Sequence, residues 1–191
     1  MDVKTIGIIG AGVLGRGIAY MAAVSGYQVV LEDISPQALA MGLDVISQML
    51  MQCAGSGDFR DQQRESALAN IAIAHSVQEA CRMADLLVEA VAEEMEMKLE
   101  LFTVFDKFAK PGAILASSTG SLSIAEMATM TFCAENCVGM RFVDPVQKMK
   151  RLDIVRAPET ADTTVKACVK VAQRMGINAT VVHDLREPGR I

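Results

Sequence analysis

A glycine cluster between a strand pattern and a helical pattern constrains this chain more than any other feature. It follows the β-branched run at residues 3–9 and reads Gly10-Ala11-Gly12-Val13-Leu14-Gly15. Apolar residues then recur at helical spacing over 13–24, so the glycines lie between a buried strand and a helix. In this setting the first glycine permits a tight turn, the second lets a ligand approach the backbone, and the third lets the helix pack closely on the strand.

This turn predicts a site for a dinucleotide. Unpaired N–H groups at the helix start would meet a pyrophosphate, so no basic side chain is required. A second strand pattern at 28–31 leads into Glu32 and Asp33, about twenty residues beyond the glycines, where an acid can accept hydrogen bonds from ribose hydroxyls. The charge of Asp33 would repel the 2′-phosphate of NADP, so we predict NAD. The alternative is a glycine turn beside a solvated acid.

The remaining pattern alternates strands and helices. Strands are predicted at 71–74, 84–91, 113–116, 137–143, 152–156 and 178–183, and helices at 36–52, 60–69, 94–108, 123–130 and 162–175. Ser35 and Ser123 are expected to cap two of these helices. The alternation predicts an α/β fold with a Rossmann-type, doubly wound, mostly parallel sheet. We expect one domain over residues 1–191, with a helical excursion at about 36–70.

Composition excludes several other classes of protein. A net charge of −5 and the lack of a basic run argue against binding to nucleic acid or to an anionic membrane. No apolar run reaches the roughly eighteen residues that a membrane span needs. The five cysteines lack the spacing of a zinc site, so we expect no metal, and we expect reduced thiols in a cytoplasmic protein.

Further motifs connect the glycine cluster to a known family. They lie at 10–19, 84–93, 98, 115–124 and 139–145. In combination they resemble the NAD-binding domain of the L-3-hydroxyacyl-CoA dehydrogenases over nearly the whole chain. The resemblance implies an oxidoreductase of fatty acid metabolism that passes a hydride between NAD and a 3-hydroxyacyl-CoA. It also implies that Glu93 and Lys98 lie along the nicotinamide ribose, although the residues alone fit an ordinary surface acid and a helix lysine equally well.

The chain departs from this family at the positions that carry its chemistry. The resemblance implies a histidine base oriented by a glutamate, and here Arg141 and Asp153 stand at those two positions. Asp144 stands at the asparagine position and is assigned to the cofactor. Gly120 replaces a serine that would reach the substrate oxygen, and Ser117 is assigned to the same substrate region. A guanidinium has a pKa above about 12 and no acceptor lone pair, so Arg141 cannot serve as the base.

Two interpretations of Arg141 therefore stay open. In the first, Arg141 and Asp153 form an ion pair that keeps the geometry of the family's histidine and glutamate, without a catalytic role. In the second, Arg141 polarises a carbonyl or binds a carboxylate, and the chain acts on a different hydroxy or keto substrate. The whole chain is accordingly either an oxidoreductase of the family's type or a non-catalytic NAD-binding sensor or assembly subunit.

The resemblance also implies a partner for this domain. In the family a helical domain follows, and residues 183–191 only loosely resemble the joining segment. We expect a partner chain or self-association to supply the missing part. Acyl-CoA is a further candidate ligand, although Arg60 and Arg64 are the only basic residues of the helical excursion.

Overall fold

The computed structural model describes residues 2–55 and 61–184. These residues form one sheet and the helices around it. The strands are β1 (Thr5–Ile9), β2 (Gln28–Glu32), β3 (Ile71–Ile73), β4 (Leu86–Glu89), β5 (Ile114–Ser117), β6 (Cys137–Phe142), β7 (Arg151–Arg156) and β8 (Asn178–His183). The helices are α1 (Val13–Val24), α2 (Pro36–Gly55), α3 (Asp61–Ala69), α4 (Val77–Met83), α5 (Met95–Phe108), α6 (Ile124–Ala128), α7 (Val146–Met149) and α8 (Asp162–Arg174).

The strand order places a crevice at the centre of the sheet. The order is β3-β2-β1-β4-β5-β6-β7-β8, and the strands pair in parallel except for the antiparallel pair of β6 and β7. β1 pairs with β2 on one side and with β4 on the other, so the chain changes direction across the sheet at β1. Ile9 lies in register with both Glu32 and Glu89, which aligns the carboxyl ends of three strands beside the glycine cluster. Ligands of doubly wound sheets bind at such a point.

Helices cover both faces of the sheet. On one face Ile6 and Ile8 of β1 pack with Ile18 of α1, and residues of α2 and α8 belong to the same core. On the other face Leu87 and Leu115 pack with Phe102 of α5, together with residues of α4 and α6. Because both faces are buried, β1, β4 and β5 read as nearly continuous apolar runs. This arrangement is the predicted doubly wound, mostly parallel fold.

The two predicted serine caps are present. The backbone N–H of Ala38 donates to Ser35 Oγ at 3.2 Å, and that of Glu126 donates to Ser123 Oγ at the same distance. Both caps can be read from the sequence because a serine oxygen satisfies a donor only three residues away.

Three sequence-based assignments need correction. The prediction missed α4 and α7, which are too short to show helical periodicity. A local signal for α4 was available, since Ser76 accepts a hydrogen bond from the N–H of Glu79 in a capping arrangement. The strand expected at 84–91 spans only Leu86–Glu89. The break expected from residue 53 begins later, because α2 continues to Gly55; residues 56–60, including Arg60, lie outside the described residues.

The contact between β1 and α1 requires glycine at position 15. A Cβ atom on Gly15 would lie 1.8 Å from the carbonyl oxygen of Gly10, a distance that no side chain can occupy. The backbone of α1 therefore crosses directly over the end of β1. Gly12 differs, since a Cβ there would meet nothing within 4 Å.

Gly15→Ala is expected to destabilise the fold by at least about 1–3 kcal/mol, the usual effect of forcing a methyl group into packed structure. Urea unfolding of the wild type and the variant measures this change in the free energy of unfolding. Gly12→Ala is the matched control and should unfold close to the wild-type midpoint. A Gly15→Ala protein as stable as this control would contradict the close backbone contact.

Candidate functional site

A cleft of about 590 Å³ opens at the carboxyl ends of β1, β2 and β4. Its polar end is formed by the glycine cluster and the acids after β2, and its apolar wall by residues of α4 and α5. The lining includes Gly10, Gly12, Asp33, Ile34, Val77, Met97, Leu101 and Val104. An apolar cleft with a few polar groups at one end suits an adenosine, whose base is flat and whose sugar carries hydroxyls.

The glycine cluster forms an open cradle at the entrance to α1. Gly10 has φ +109°, and a Cβ there would lie 2.6 Å from the carbonyl oxygen of Ala90, so the turn needs glycine. Gly12 is exposed, occupies the N-cap of α1 and offers no side-chain cap to the helix N–H groups. The open space at Gly12 and these donors fit a pyrophosphate. Of the residues between the glycines, Ala11 is buried and Val13 is 57% exposed.

Asp33 connects the glycine cluster to the loop after β2 through two hydrogen bonds. Its Oδ2 accepts a hydrogen bond from the N–H of Ala11 at 2.8 Å, and its Oδ1 accepts one from the N–H of Ser35 at 2.8 Å. Each carboxylate oxygen can accept a second hydrogen bond, and Asp33 lines the cleft, so it can still receive a ribose hydroxyl. Ala11, predicted to bind the cofactor, thus uses its amide to hold Asp33.

Glu32 is a site residue that sequence reasoning passed over. It is 6% exposed and lines the same cleft. Burial, and then the negative charge of neighbouring Asp33, raise the pKa of the Glu32 carboxyl. The burial of Glu32 could not be predicted from the sequence, because it depends on the elements that pack around the end of β2.

Glu93 accepts hydrogen bonds from several residues of the loop that follows β5. Its Oε1 accepts hydrogen bonds from Thr119 Oγ1 at 2.6 Å, from Ser121 Oγ at 2.9 Å, and from the N–H groups of Gly120 and Ser121 at 3.0 Å each. Burial raises the pKa of the Glu93 carboxyl, but the hydrogen bonds from Thr119 and Ser121 and the charge of Lys98 outweigh it, so the pKa lies below its usual value.

Lys98 lies behind Glu93 and has no exposed surface. Its Nζ is 2.8 and 2.9 Å from the two carboxylate oxygens of Glu89 and 3.5 Å from Glu93 Oε2. Lys98 is buried behind the more exposed Glu93, and its direct contact with the ribose stays a prediction. Glu89 was missed as a site residue, although it is one of two acids that interrupt the apolar pattern over 84–91.

Ser117 belongs to the same buried cluster. It is 0% exposed, and its Oγ donates a hydrogen bond to Glu89 Oε1 and accepts one from the N–H of Thr119. The structure therefore places Ser117 behind the cleft wall, whereas Gly120, its predicted companion, is exposed. A role of Ser117 in contacting substrate stays a prediction.

Arg141 and Asp153 face each other in the antiparallel pair of β6 and β7. The expected ion pair between them is wrong among the described residues. The Nε of Arg141 donates instead to the carbonyl oxygen of Thr119 at 3.3 Å, and Asp153 pairs with Arg151 at 3.9 Å. Arg151 competes for the acid because residues two apart on a strand share a face of the sheet.

Asp144 lies beside a second, smaller cleft. It is exposed, and with Val13, Arg16 and Pro145 it lines a space of about 330 Å³ near α1, α2 and α7. It is absent from the lining of the larger cleft that contains Asp33. Its assignment to the cofactor stays a prediction.

Two features typical of other protein classes do not occur in the part of the chain that the structure describes. Over residues 2–55 and 61–184, no group of three or more His, Cys, Asp or Glu side chains is placed to hold a metal ion. No helix in these same ranges is long and apolar enough to cross a membrane. The side chain of Arg64, like Arg60, falls outside what the structure describes, so the basic residues named for acyl-CoA have no structural account.

The chain is similar in sequence to known proteins over nearly all of its length. Residues 5–185 match the family model described as "3-hydroxyacyl-CoA dehydrogenase, NAD binding domain". The chain is 36% identical over 184 residues to a probable 3-hydroxybutyryl-CoA dehydrogenase of Bacillus subtilis, covering 96% of this chain and 64% of that protein. It is 33% identical to the fatty acid oxidation complex subunit alpha of Idiomarina loihiensis, covering 96% of this chain and 25% of that protein.

A solved structure agrees with these matches. The (S)-3-hydroxybutyryl-CoA dehydrogenase of Ralstonia eutropha superposes with a TM-score of 0.92 at 31% identity, over 96% of this chain and 64% of that one. The predicted fold class and the prediction of NAD as cofactor are both confirmed. The chain spans less than two thirds of the length of these relatives.

Asp33→Asn is expected to weaken NAD binding about tenfold, a change of about 1.4 kcal/mol, because a charged acceptor for the ribose hydroxyls becomes a neutral amide. The same change should narrow the preference for NAD over NADP, since the repulsion of a 2′-phosphate disappears. Isothermal titration of both dinucleotides measures the two effects. Glu100→Gln, at the rim of the same cleft, controls for the loss of a charge. An unchanged ratio of NAD to NADP affinity would count against the role of Asp33.

The lowered pKa of Glu93 gives the fold a dependence on acid pH. The ionised carboxylate stabilises the folded state above its unfolded pKa near 4.5, and this contribution is lost as the pH falls through the lower folded pKa. Glu93→Gln is therefore expected to lose stability less steeply than the wild type below about pH 4.5. Urea unfolding across the acid range measures this, with the neighbouring Glu94→Gln as control. Identical pH profiles for wild type and Glu93→Gln would refute it.

Proposed function

Because the chain belongs to the 3-hydroxyacyl-CoA dehydrogenase family, as an NAD-binding domain, we propose that it binds NAD with its oxidation of 3-hydroxyacyl-CoA weakened or lost. When bound, NAD supplies a hydride acceptor for the carbon that is oxidised. The glycine cluster holds the pyrophosphate, Asp33 holds the adenosine ribose, and Glu93 lies toward the nicotinamide ribose.

The observation that carries this proposal is the absence of an imidazole where the family's base would lie. Arg141 occupies that position and cannot accept a proton. The chain contains only two histidines. His75 follows β3, five strands from β6 and so about 24 Å away across the sheet.

The second histidine lies at the other edge of the sheet. His183 ends β8, which runs parallel to β7 and therefore antiparallel to β6. Arg141 is next to last in β6 and faces Asp153, while His183 pairs with Arg156 at the far end of β7. Neither histidine can replace the base from these positions.

A different dehydrogenase is the second candidate, and the state of Arg141 favours it. Its Nε is bound to Thr119, and among the described residues no acceptor is assigned to its two terminal nitrogens. A partly buried guanidinium with free N–H groups can bind a carboxylate through two hydrogen bonds or polarise a carbonyl. The substrate would then be a small hydroxy or keto acid, with the proton moved by another group.

Partners and location also belong to this proposal. We propose one domain over residues 1–191 that is completed by a partner chain or by a second copy, with acyl-CoA as a candidate ligand. Support comes from apolar side chains left 51–63% exposed on α2 and α7, namely Met41, Met51 and Met149. A cytoplasmic location agrees with the free thiols of the four cysteines whose side chains the structure describes, namely Cys81, Cys133, Cys137 and Cys168.

The test combines binding with turnover. Calorimetry is expected to show that NAD binds the wild type and Arg141→His similarly and binds Gly12→Ala at least about tenfold more weakly, because a methyl group fills the phosphate cradle. NADH formation is then measured with 3-hydroxybutyryl-CoA and with a panel of small hydroxy acids. The wild type is expected to give little or no NADH with the thioester.

Each result decides between the candidates. Wild-type turnover of 3-hydroxybutyryl-CoA that persists in Arg141→Ala would contradict the loss of catalysis. NADH formed from a small hydroxy acid, and abolished by Arg141→Gln, would establish the second candidate. Light scattering of the same protein gives its mass and tests self-association.

A further inference from the structure

A fully buried ion pair of Glu89 and Lys98 lies beside Glu93, the residue assigned to the nicotinamide ribose. We propose that Glu89 is a positioning residue for the nicotinamide ribose, acting through Lys98 on Glu93 and the loop after β5. The inference rests on the proposed placing of that ribose beside Glu93. It assigns Glu89 a role that the sequence resemblance did not.

The ammonium group of Lys98 is held in a fixed direction. An ammonium has three N–H donors. The two oxygens of Glu89, at 2.8 and 2.9 Å from Nζ, engage two of them, and Glu93 Oε2 at 3.5 Å lies within reach of the third. Lys98 and Glu89 are both 0% exposed, so bulk solvent does not reach these donors. Glu89 thus aims the positive charge at one oxygen of Glu93.

The two carboxylate oxygens of Glu93 have different partners. Oε1 accepts all four hydrogen bonds from residues 119–121, whereas Oε2 is held only by the longer contact with Lys98. The Glu93 side chain is 43% exposed, so a ligand can reach it, and it follows Ala90, Val91 and Ala92, which line the cleft. Oε2 therefore keeps acceptor capacity for a ribose hydroxyl while its direction is set from behind.

Glu89 connects three elements, namely β4, β5 and α5. It ends β4, its oxygens accept hydrogen bonds from Ser117 Oγ of β5 and from the N–H of Val91, and it binds Lys98 of α5. Ser117 in turn accepts a hydrogen bond from the N–H of Thr119, the first of the three loop residues that bind Glu93. Both sides of the ribose site are thus fixed to one carboxylate.

Stability alone is a weak reason for such a cluster. Replacing a buried ion pair by apolar groups of similar volume is often neutral or stabilising, because burying charges requires removing their water. Precise placement of a binding group requires supporting contacts of this kind. The cluster of Glu89, Lys98 and Ser117 fits the second purpose.

The test separates the two halves of the dinucleotide by measuring the affinities of ADP, ADP-ribose and NAD. In the double variant Glu89→Gln/Lys98→Met, which leaves no unpaired buried charge, ADP-ribose and NAD are expected to bind about tenfold more weakly, whereas ADP changes by less than about twofold. Ser117→Ala, a milder change, should weaken ADP-ribose and NAD about threefold. The control is Asp85→Asn/Lys110→Met, which removes the 2.9 Å pair at the opposite end of β4 and should leave all three affinities unchanged.

The outcomes have distinct meanings. Equal weakening of all three ligands would show a merely structural role and overturn the inference. Unchanged affinity for ADP-ribose and NAD in a folded double variant and in Ser117→Ala would overturn it as well. Failure of the wild type to bind even ADP would refute the proposed cleft itself, and that result differs from either failure of Glu89.

Discussion

The backbone contact between the end of β1 and the start of α1 is the constraint on which the rest of the site depends. The carbonyl of Gly10 lies where a side chain at position 15 would begin, so α1 can start directly over the strand. The N–H of Gly10 donates to the carbonyl of Glu32 at 2.8 Å, and the N–H of Ala11 donates to Asp33. The same contact therefore places the start of α1 at the cleft and holds the Asp33 carboxylate there.

The two carboxylates assigned to the cofactor, Asp33 and Glu93, are each fixed by contacts within the fold. Asp33 is fixed by two backbone N–H groups, and Glu93 by two hydroxyls, two backbone N–H groups and the buried ammonium of Lys98. The N-terminus of α1 offers N–H donors that can bind an anion without a side-chain cation. This arrangement suits a ligand with sugars at both ends and phosphates in the middle.

The region around β6 and β7 shows that a preserved backbone does not preserve chemistry. Position 141 still faces position 153 across the antiparallel pair, as the family resemblance implies for its base and orienting acid. The side chains have nevertheless taken other partners, with Arg141 on Thr119 and Asp153 on Arg151. Function depends on such side-chain contacts rather than on the fold.

The sequence by itself determined the glycine cluster, Asp33, the serine caps and most strands and helices, because these features depend on local hydrogen bonds and on periodicity within one segment. It did not reveal α4 and α7, since helices of seven and four residues contain too few turns to show a period. Only the tertiary structure decided that Glu89, Lys98, Glu93 and Ser117 form one cluster, and that Arg141 binds a carbonyl instead of Asp153. These contacts join β4, α5, β5 and β6, and their partners depend on how far apart the packed elements place side chains that are distant in the chain.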